Sequence, residues 1–340
     1  MKYTRLGRTG VHISNVTLGG SFFGTRINES DSKRIFERSL ELGINVVDTA
    51  ESYLQPVPQA SETVLGRILK GRRHDVFLSS KVGPSRSWET SRVNLGLTRR
   101  VVNQAVEGSL KRLRTDHIDL LFAHFPDPAT PLDETLAAMD DLIRAGKVRY
   151  AGLSNHSASK VTEALWVADR LNLRPIVATQ DLYNLFERVN EHDLYPTCMK
   201  YDIAAFAYAP LAGGLLSGKY SLDMVHDSTK IPAEARAGYY GKFTDDAAPT
   251  RSSPKLTERS ITVVDRLGAW AEERGHTVTN VALAWVMGHP AVTSLLLGVT
   301  TMEQLEENVP AFDLELSEVD RAEIAALLPR ESVNIVHPMW

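Results

Sequence analysis

The sequence predicts an α/β chain folded as a (β/α)8 TIM barrel, with an N-terminal β-hairpin and extra C-terminal helices. Three observations predict it. Short apolar segments and amphipathic segments alternate eight times along 340 residues, a pattern that builds parallel sheets and, at this count, a closed one. No Gly-x-Gly-x-x-Gly follows the first strand of the alternation, where Gly19-Gly20 stands instead, which counts against an open doubly wound sheet. Six of the predicted strands run into a polar residue, and a barrel gathers such strand ends on one face around one cavity.

In order, residues 1–14 read as the hairpin, with alternating segments 3–6 and 11–13 around the turn Gly7-Arg8-Thr9-Gly10. The first barrel strand is 15–18. A helix over 30–42 takes Ile35, Leu40 and Leu42 as its apolar face and stops at Gly43. Strand 44–48 ends on Asp48, and a helix begins near Ser61. Strand 76–80 runs into Lys81. Helix 98–113 places Val101, Val102, Ala105, Val106, Leu110 and Leu113 at helical spacing. Strand 118–123 runs into His124. Helix 131–145 opens on Pro131 and stops at Gly146.

Strand 148–153 leads to Ser154-Asn155, and a helix spans 157–171. Strand 176–179 ends at Gln180, followed by a helix at 191–200. Strand 203–207 ends at Tyr208. Residues 221–255, rich in Pro, Gly, Asp and Ser, read as one long loop, and loops of this length are commonly functional. Helices at 256–274 and 280–288 precede the eighth strand, 292–297, which ends at Gly298. A helix begins at 301–308. A tail helix, 317–328, opens with a capping box of Ser317 and Asp320, with Asp in place of the usual Glu.

Composition bounds the function. With 43% hydrophobic and 24% charged residues the chain is ordinary for a globular protein and reads as a single domain, 1–340. A net charge of −4 gives no reason to expect nucleic acid as a partner. Cys198 is the only cysteine, so no internal disulfide and no thiolate metal cluster is expected. Residues 1–10 lack the apolar core of a signal peptide, and the uncharged run 203–218 is broken by Pro210 and glycines. A cytoplasmic protein with no membrane partner is expected, as a monomer or homo-oligomer.

The chemistry starts at residues 45–53, Asn-Val-Val-Asp-Thr-Ala-Glu-Ser-Tyr. An apolar strand delivers Asp48, a carboxylate that is costly to bury without a cation. Tyr53 follows five residues on, and a phenol donates protons well near neutral pH only when a cation lowers its pKa. The adjacent strand end supplies Lys81, which is expected to strengthen Tyr53 as an acid. His124, next along the barrel, suits a hydrogen bond to a substrate oxygen. Each residue alone has a plainer account: a helix cap, a surface aromatic, a solvated charge, a structural histidine. Lys81 also suits a Schiff base. Metal hydrolysis needs more ligands than one His and one Asp, so no metal is expected.

Five ordered motifs make the chain resemble the aldo-keto reductases over nearly its whole length. They are Leu-Gly-Arg-Thr-Gly at 6–10, Gly-Ile-Asn-Val-Val-Asp-Thr-Ala-Glu-Ser-Tyr at 43–53, Ser-Glu-Thr-Val-Leu-Gly at 61–66, Gly-Lys-Val-Arg-Tyr-Ala-Gly-Leu-Ser-Asn at 146–155, and Pro-Leu-Ala-Gly-Gly-Leu-Leu-Ser-Gly-Lys-Tyr at 210–220. The last two are most similar to the branch holding bacterial reductases and potassium channel beta subunits. The resemblance implies a catalytic tetrad of Asp48, Tyr53, Lys81 and His124. It implies a nicotinamide cofactor lying across the strand ends. Gly20 and Asp48 would lie beside it, Ser154, Asn155 and Gln180 would hold its carboxamide, and Tyr208 would stack on its ring. Pro210, Leu211, Gly213, Ser217 and Lys219 would bind the pyrophosphate, with Arg236 reaching over from the long loop. Gly298, Thr300, Gln304, Glu307 and Asn308 would take the adenosine end.

Two departures stand out. Leu54 follows Tyr53 where much of the family has Gly, and a Pro-rich insert, 55–60, comes next. Gly298 and Gln304 occupy positions where many NADPH-using members carry Lys and Arg. The similar branch lacks that pair too and uses NADPH, so NADPH is the expected cofactor and NAD the alternative. Phe22, Phe23, Trp88 and Phe125, on loops after strand ends, are expected to line a pocket for an aldehyde or ketone with an aromatic, apolar or sugar-like body. A redox-sensing regulatory subunit, like the channel beta subunits, is the competing function.

Overall fold

The structure, a computed structural model, describes residues 1–53, 59–83, 96–232, 235 and 256–328. Eight parallel strands close into a barrel: β3 (Val16–Gly19), β4 (Val46–Asp48), β5 (Phe77–Val82), β6 (Ile118–Ala123), β7 (Val148–Ser154), β8 (Ala178–Leu182), β9 (Ala204–Tyr208) and β10 (Val292–Leu297), with β10 pairing back to β3. They are short apolar runs because both faces are covered: helices outside, side chains inside. The larger apolar core lies between strands and helices; the helix Arg99–Leu113, for example, buries the apolar stripe read from its spacing.

The hairpin, β1 (Tyr3–Arg5) and β2 (His12–Ser14), closes the barrel at the N-terminal ends of its strands. Its turn presses on the residues before β8 and β9. A Cβ on Gly7, whose φ is +48°, would come within 2.6 Å of the Val177 carbonyl oxygen, so only glycine fits there. Leu6 and Ile13 join Val46, Leu120, Phe122, Val177, Ala178, Ala204, Phe206 and Leu296 in a second apolar cluster inside the barrel. Arg5 pairs with Asp202, and the Ser14 amide donates to Asn45 Oδ1 at 2.8 Å, fixing the plug to two barrel loops.

Of the boundaries that differ from the expected ones, three stand out. The sixth strand of the alternation is Ala178–Leu182, not 176–179. Apolar Ile176 and Val177 look like strand, and Val177 does bond to the Ala151 carbonyl and the Ala204 N–H, both at 2.9 Å, but regular pairing with β7 and β9 begins at Ala178. The stretch 221–255 is not a plain loop at its start, where a helical turn, Leu222–His226, precedes the 3-10 turn Ser228–Lys230. The helix expected at 191–200 runs over Leu194–Tyr201 after a 3-10 turn, Val189–Glu191. The tail helix Glu318–Leu327 forms, and Ser317 and Asp320 make the reciprocal capping box. Among the described residues no helix is long and apolar enough to cross a membrane.

Candidate active site

Asp48, Tyr53, Lys81 and His124 gather at the C-terminal mouth of the barrel. Alternation along β5 turns Ser79 and Lys81 to one face, opposite Asp48 at the end of β4. Lys81 and Asp48 are 2% and 1% exposed and form an ion pair. The Lys81 ammonium also donates to the Thr49 carbonyl at 2.9 Å and to the Tyr53 hydroxyl at 3.0 Å. Asp48 is held from its other side by Ser79 Oγ at 2.7 Å and Gln180 Nε2 at 3.0 Å. A buried ion pair holds its geometry when its remaining lone pairs and protons are satisfied, and here four groups, from β5, β8 and the loop after β4, satisfy them. The Tyr53 ring stands edge-on to His124 at 6.1 Å, and His124 stacks on Phe125 at 4.4 Å. Ser52 Oγ lies 2.7 Å from His124 Nδ1 and so helps fix the imidazole.

The electrostatics correct one expectation. Burial opposes the charge on Lys81, but the Asp48 carboxylate and the Tyr53 oxygen more than offset it, and its pKa is raised. Tyr53 does not become a stronger acid in the free protein. Burial pushes its phenol up, Lys81 pulls it down, and Asp48 pushes it up again, leaving it above the ordinary tyrosine value. The cation was foreseen; the cost of burying a phenolate beside a carboxylate depends on distances that the sequence does not hold.

Next along the rim, Ser154, Asn155, Gln180 and Tyr208 bond to one another. Asn155 Nδ2 donates to the His124 carbonyl at 2.9 Å and to Ser154 Oγ at 3.0 Å, while its Oδ1 accepts from the Tyr208 hydroxyl at 2.8 Å. Gln180 spends one N–H on Asp48; among the described residues no hydrogen-bond partner takes its amide oxygen. A carboxamide offers both a donor and an acceptor, and the amide of Gln180 and the hydroxyl of Ser154 are groups of that kind. The donor set therefore fits a nicotinamide. Gly20 sits against Asp48, its N–H donating to the Asp48 carbonyl at 2.8 Å.

Beyond β9 the backbone is irregular. Ala209, Ala212, Gly213 and Gly214 all have positive φ, at 52°, 49°, 69° and 95°. Left-handed alanines are strained and concentrate at functional sites, and successive N–H groups in such turns form anion-binding concavities. A Cβ on Gly214 would meet Lys219 Nζ at 2.6 Å, so the lysine lies across this turn, and Ser217 Oγ closes onto the Gly214 carbonyl at 2.7 Å. Pro210 and Leu211 lead into it. These groups suit a pyrophosphate.

At the adenosine end, Gln304 Oε1 accepts from the Thr300 N–H at 2.8 Å and hydroxyl at 3.1 Å. Space over Gly298 is open, Glu307 is exposed and Asn308 is buried. A groove of about 270 Å³ beside Thr300 is lined by Arg34, Asp31 and Glu303 as well, residues on which the sequence offered no signal. Phe22 is 8% exposed, and Phe125 remains at the mouth with His124. Phe23 is fully buried and belongs to the larger apolar core. Trp88 and Arg236 lie outside the described residues. Among the described residues no three His, Cys, Asp or Glu side chains gather as a metal site.

Sequence reasoning missed Ser52, Thr49, Ser79, Ala209, Ala212 and Asp181. Ser79 left a signal in its two-residue spacing from Lys81, and Asp181 in being a carboxyl at a strand position that is ordinarily apolar; the others act through backbone or contacts between distant residues.

Comparison with known proteins agrees with this geometry. A family model described as Aldo/keto reductase family matches residues 15–329. A protein of Oryza sativa subsp. japonica named probable voltage-gated potassium channel subunit beta is 32% identical, with 92% of each chain covered. Protein tas of Escherichia coli is 34% identical, covering 96% of this chain and 97% of its own. An uncharacterized oxidoreductase YrpG of Bacillus subtilis is 33% identical, covering 93% and 92%.

Proposed function

Because this chain belongs to the aldo/keto reductase family, a family of oxidoreductases that use nicotinamide cofactors, we propose that it reduces an aldehyde or ketone to an alcohol with NADPH, with Tyr53 as general acid. The observation that carries this is the buried Lys81 ammonium, paired with Asp48 and 3.0 Å from the Tyr53 hydroxyl.

When bound, the cofactor would supply the hydride for the carbonyl carbon. Ser154, Asn155 and Gln180 would hold its carboxamide, Tyr208 would face its ring, and the turn after β9 with Lys219 would hold its phosphates. Tyr53 donates its proton to the carbonyl oxygen. The raised pKa keeps the phenol protonated throughout the neutral range, which suits a donor in reduction more than a base in oxidation. Lys81 stabilises the phenolate left behind, and Asp48, clamped by Ser79 and Gln180, keeps the ammonium in place. His124, braced by Ser52, orients the oxygen and stabilises its developing charge. The substrate is a small carbonyl compound; neither a nucleic acid nor a membrane is a partner. We place the protein in the cytoplasm.

Loss of a general acid costs roughly 10²–10⁴-fold in rate. Tyr53→Phe is therefore expected to lose most carbonyl reduction while NADPH still quenches protein fluorescence. Wild-type turnover in Tyr53→Phe would remove the assignment. Titrating NADPH and NADH in parallel decides the cofactor, since Arg34 competes with two carboxylates in the groove by Thr300. The relatives named as channel beta subunits favour a second reading, a redox-sensing regulatory subunit. Slow single-turnover hydride transfer with co-purification of a membrane protein would support that one.

A further inference from the structure

Asp181 follows Gln180 on β8, and alternation along the strand turns it away from the barrel interior. Strand positions facing the helices are ordinarily apolar, yet this side chain is a carboxyl, 4% exposed. Its Oδ1 accepts the backbone N–H of Asn155 at 3.0 Å. Its Oδ2 is buried and, among the described residues, has no hydrogen-bond partner. A buried carboxyl without a cation is costly, and groups kept at such cost concentrate at functional sites. The residue it touches is strained as well. Asn155 has φ +62°, and its side chain joins the His124 carbonyl, Ser154 and Tyr208, each from a different strand end.

We propose that Asp181 is a positioning residue for the nicotinamide site: its carboxyl pins the left-handed turn at Asn155, and its ionisation sets how firmly Asn155 holds the cofactor. This rests on the proposed role of Asn155 in cofactor binding. The surroundings leave the carboxyl free to change state. The nearby Thr179 hydroxyl, on its own strand, and the Asn155 amide, just past β7, both favour the charged form. From the helix Leu194–Tyr201, Tyr195 and Cys198 feel its charge, and burial holds both protonated, the thiol pushed up to about 12. His156, beside Asn155 in sequence, is neutral at pH 7, burial having pushed it down to about 4. No cation acts on Asp181 among these groups, and burial pushes its carboxyl up to about 7. The ionised form is the stronger acceptor of the Asn155 N–H, so the grip tightens as pH rises through neutrality.

The test uses the full chain, with Asp181→Asn and Asp181→Val. In the free protein, the backbone amide resonance of Asn155 is expected to shift with an inflection near pH 7, and to lose that inflection in Asp181→Asn. In NADPH titrations followed by fluorescence quenching, wild type is expected to gain about fivefold in affinity between pH 6 and pH 8 relative to Asp181→Asn, the size of one hydrogen bond's strengthening. The ratio cancels titration of the cofactor's own phosphate. Asp181→Asn keeps an acceptor oxygen and so rescues most of the affinity that Asp181→Val loses at both pH values. Parallel wild-type and Asp181→Asn curves, or an Asn155 resonance without an inflection, overturn the proposal. If wild type binds neither NADPH nor NADH, the assignment of the site fails instead, and the amide titration still decides whether Asp181 governs Asn155.

Discussion

The floor of the barrel and its mouth are made by the same strands a few residues apart, and they are held together differently. On β4, Val46 lies in the inner apolar cluster and Asp48 in the ion pair. On β8, Ala178 belongs to the floor and Gln180 clamps Asp48; on β9, Phe206 belongs to the floor and Tyr208 to the rim. At the floor, contacts are apolar and non-directional, and a side chain of similar volume can replace another. At the mouth, every buried polar group depends on particular partners, so removing one leaves another exposed to a medium that cannot solvate it. Stability and chemistry are thereby separated along each strand, and substitutions at the two ends are expected to fail in different ways.

The largest effect is expected at the mouth. Lys81→Met leaves Asp48 buried without its cation, and breaking a buried pair on one side costs about 3–5 kcal/mol. It also removes the group that stabilises the Tyr53 oxyanion, so turnover and stability fall together. Urea unfolding alongside the NADPH-dependent assay checks both. A Lys81→Met protein as stable as wild type would mean that the pair is not buried as described. Tyr53→Phe is the contrast, losing turnover with little change in the urea midpoint.

At the floor, Phe206→Ala is expected to lose stability alone. Phe206 meets Phe122 edge to face at 5.8 Å beneath the site, and truncating a buried phenylalanine costs about 3–5 kcal/mol through lost transfer energy and the cavity left behind. Turnover per folded molecule should stay within a few-fold of wild type. A collapse of turnover in the folded fraction, with the urea midpoint unchanged, would erase the division between floor and mouth.

The two ends also differ in how much the sequence declares. The floor was legible because apolar runs of four to six residues between turn signals leave few alternatives, although apolar Ile176 and Val177 give no sign that regular pairing starts only at Ala178. The gathering of Asp48, Lys81 and His124 was legible because a carboxylate, a lysine and a histidine at successive strand ends converge once the barrel closes. What stayed hidden arises only from folding. Ser52 reaches His124 from 72 residues away, Ala209 and Ala212 take conformations that alanine does not advertise, and the pKa of Tyr53 turns on burial against charge. Asp181, a carboxyl in an apolar-facing position next to Gln180, stands out in the sequence as an anomaly.

The smallest expected effect compares two buried groups on either side of Asn155. His156 Nδ1 donates to the Ser154 carbonyl at 2.8 Å, and burial pushes the imidazole down to about 4, below its unfolded value. The folded chain then binds fewer protons than the unfolded one between those values. Its stabilising contribution is fully present above about pH 6.5 and is lost as pH falls toward 4. Asp181 has the opposite sign: its folded pKa, about 7, lies above its unfolded one, so its contribution is present at low pH and lost as pH rises through 7. Urea unfolding at pH 5 and pH 8 separates them. Against wild type, His156→Gln should improve by about 1–3 kcal/mol on going to pH 5, and Asp181→Asn should improve by a similar amount on going to pH 8. Because the two slopes oppose each other, the wild-type profile alone can look flat while each variant reveals one component. Variant curves that run parallel to wild type would show that neither group is held in its uncharged form by the fold.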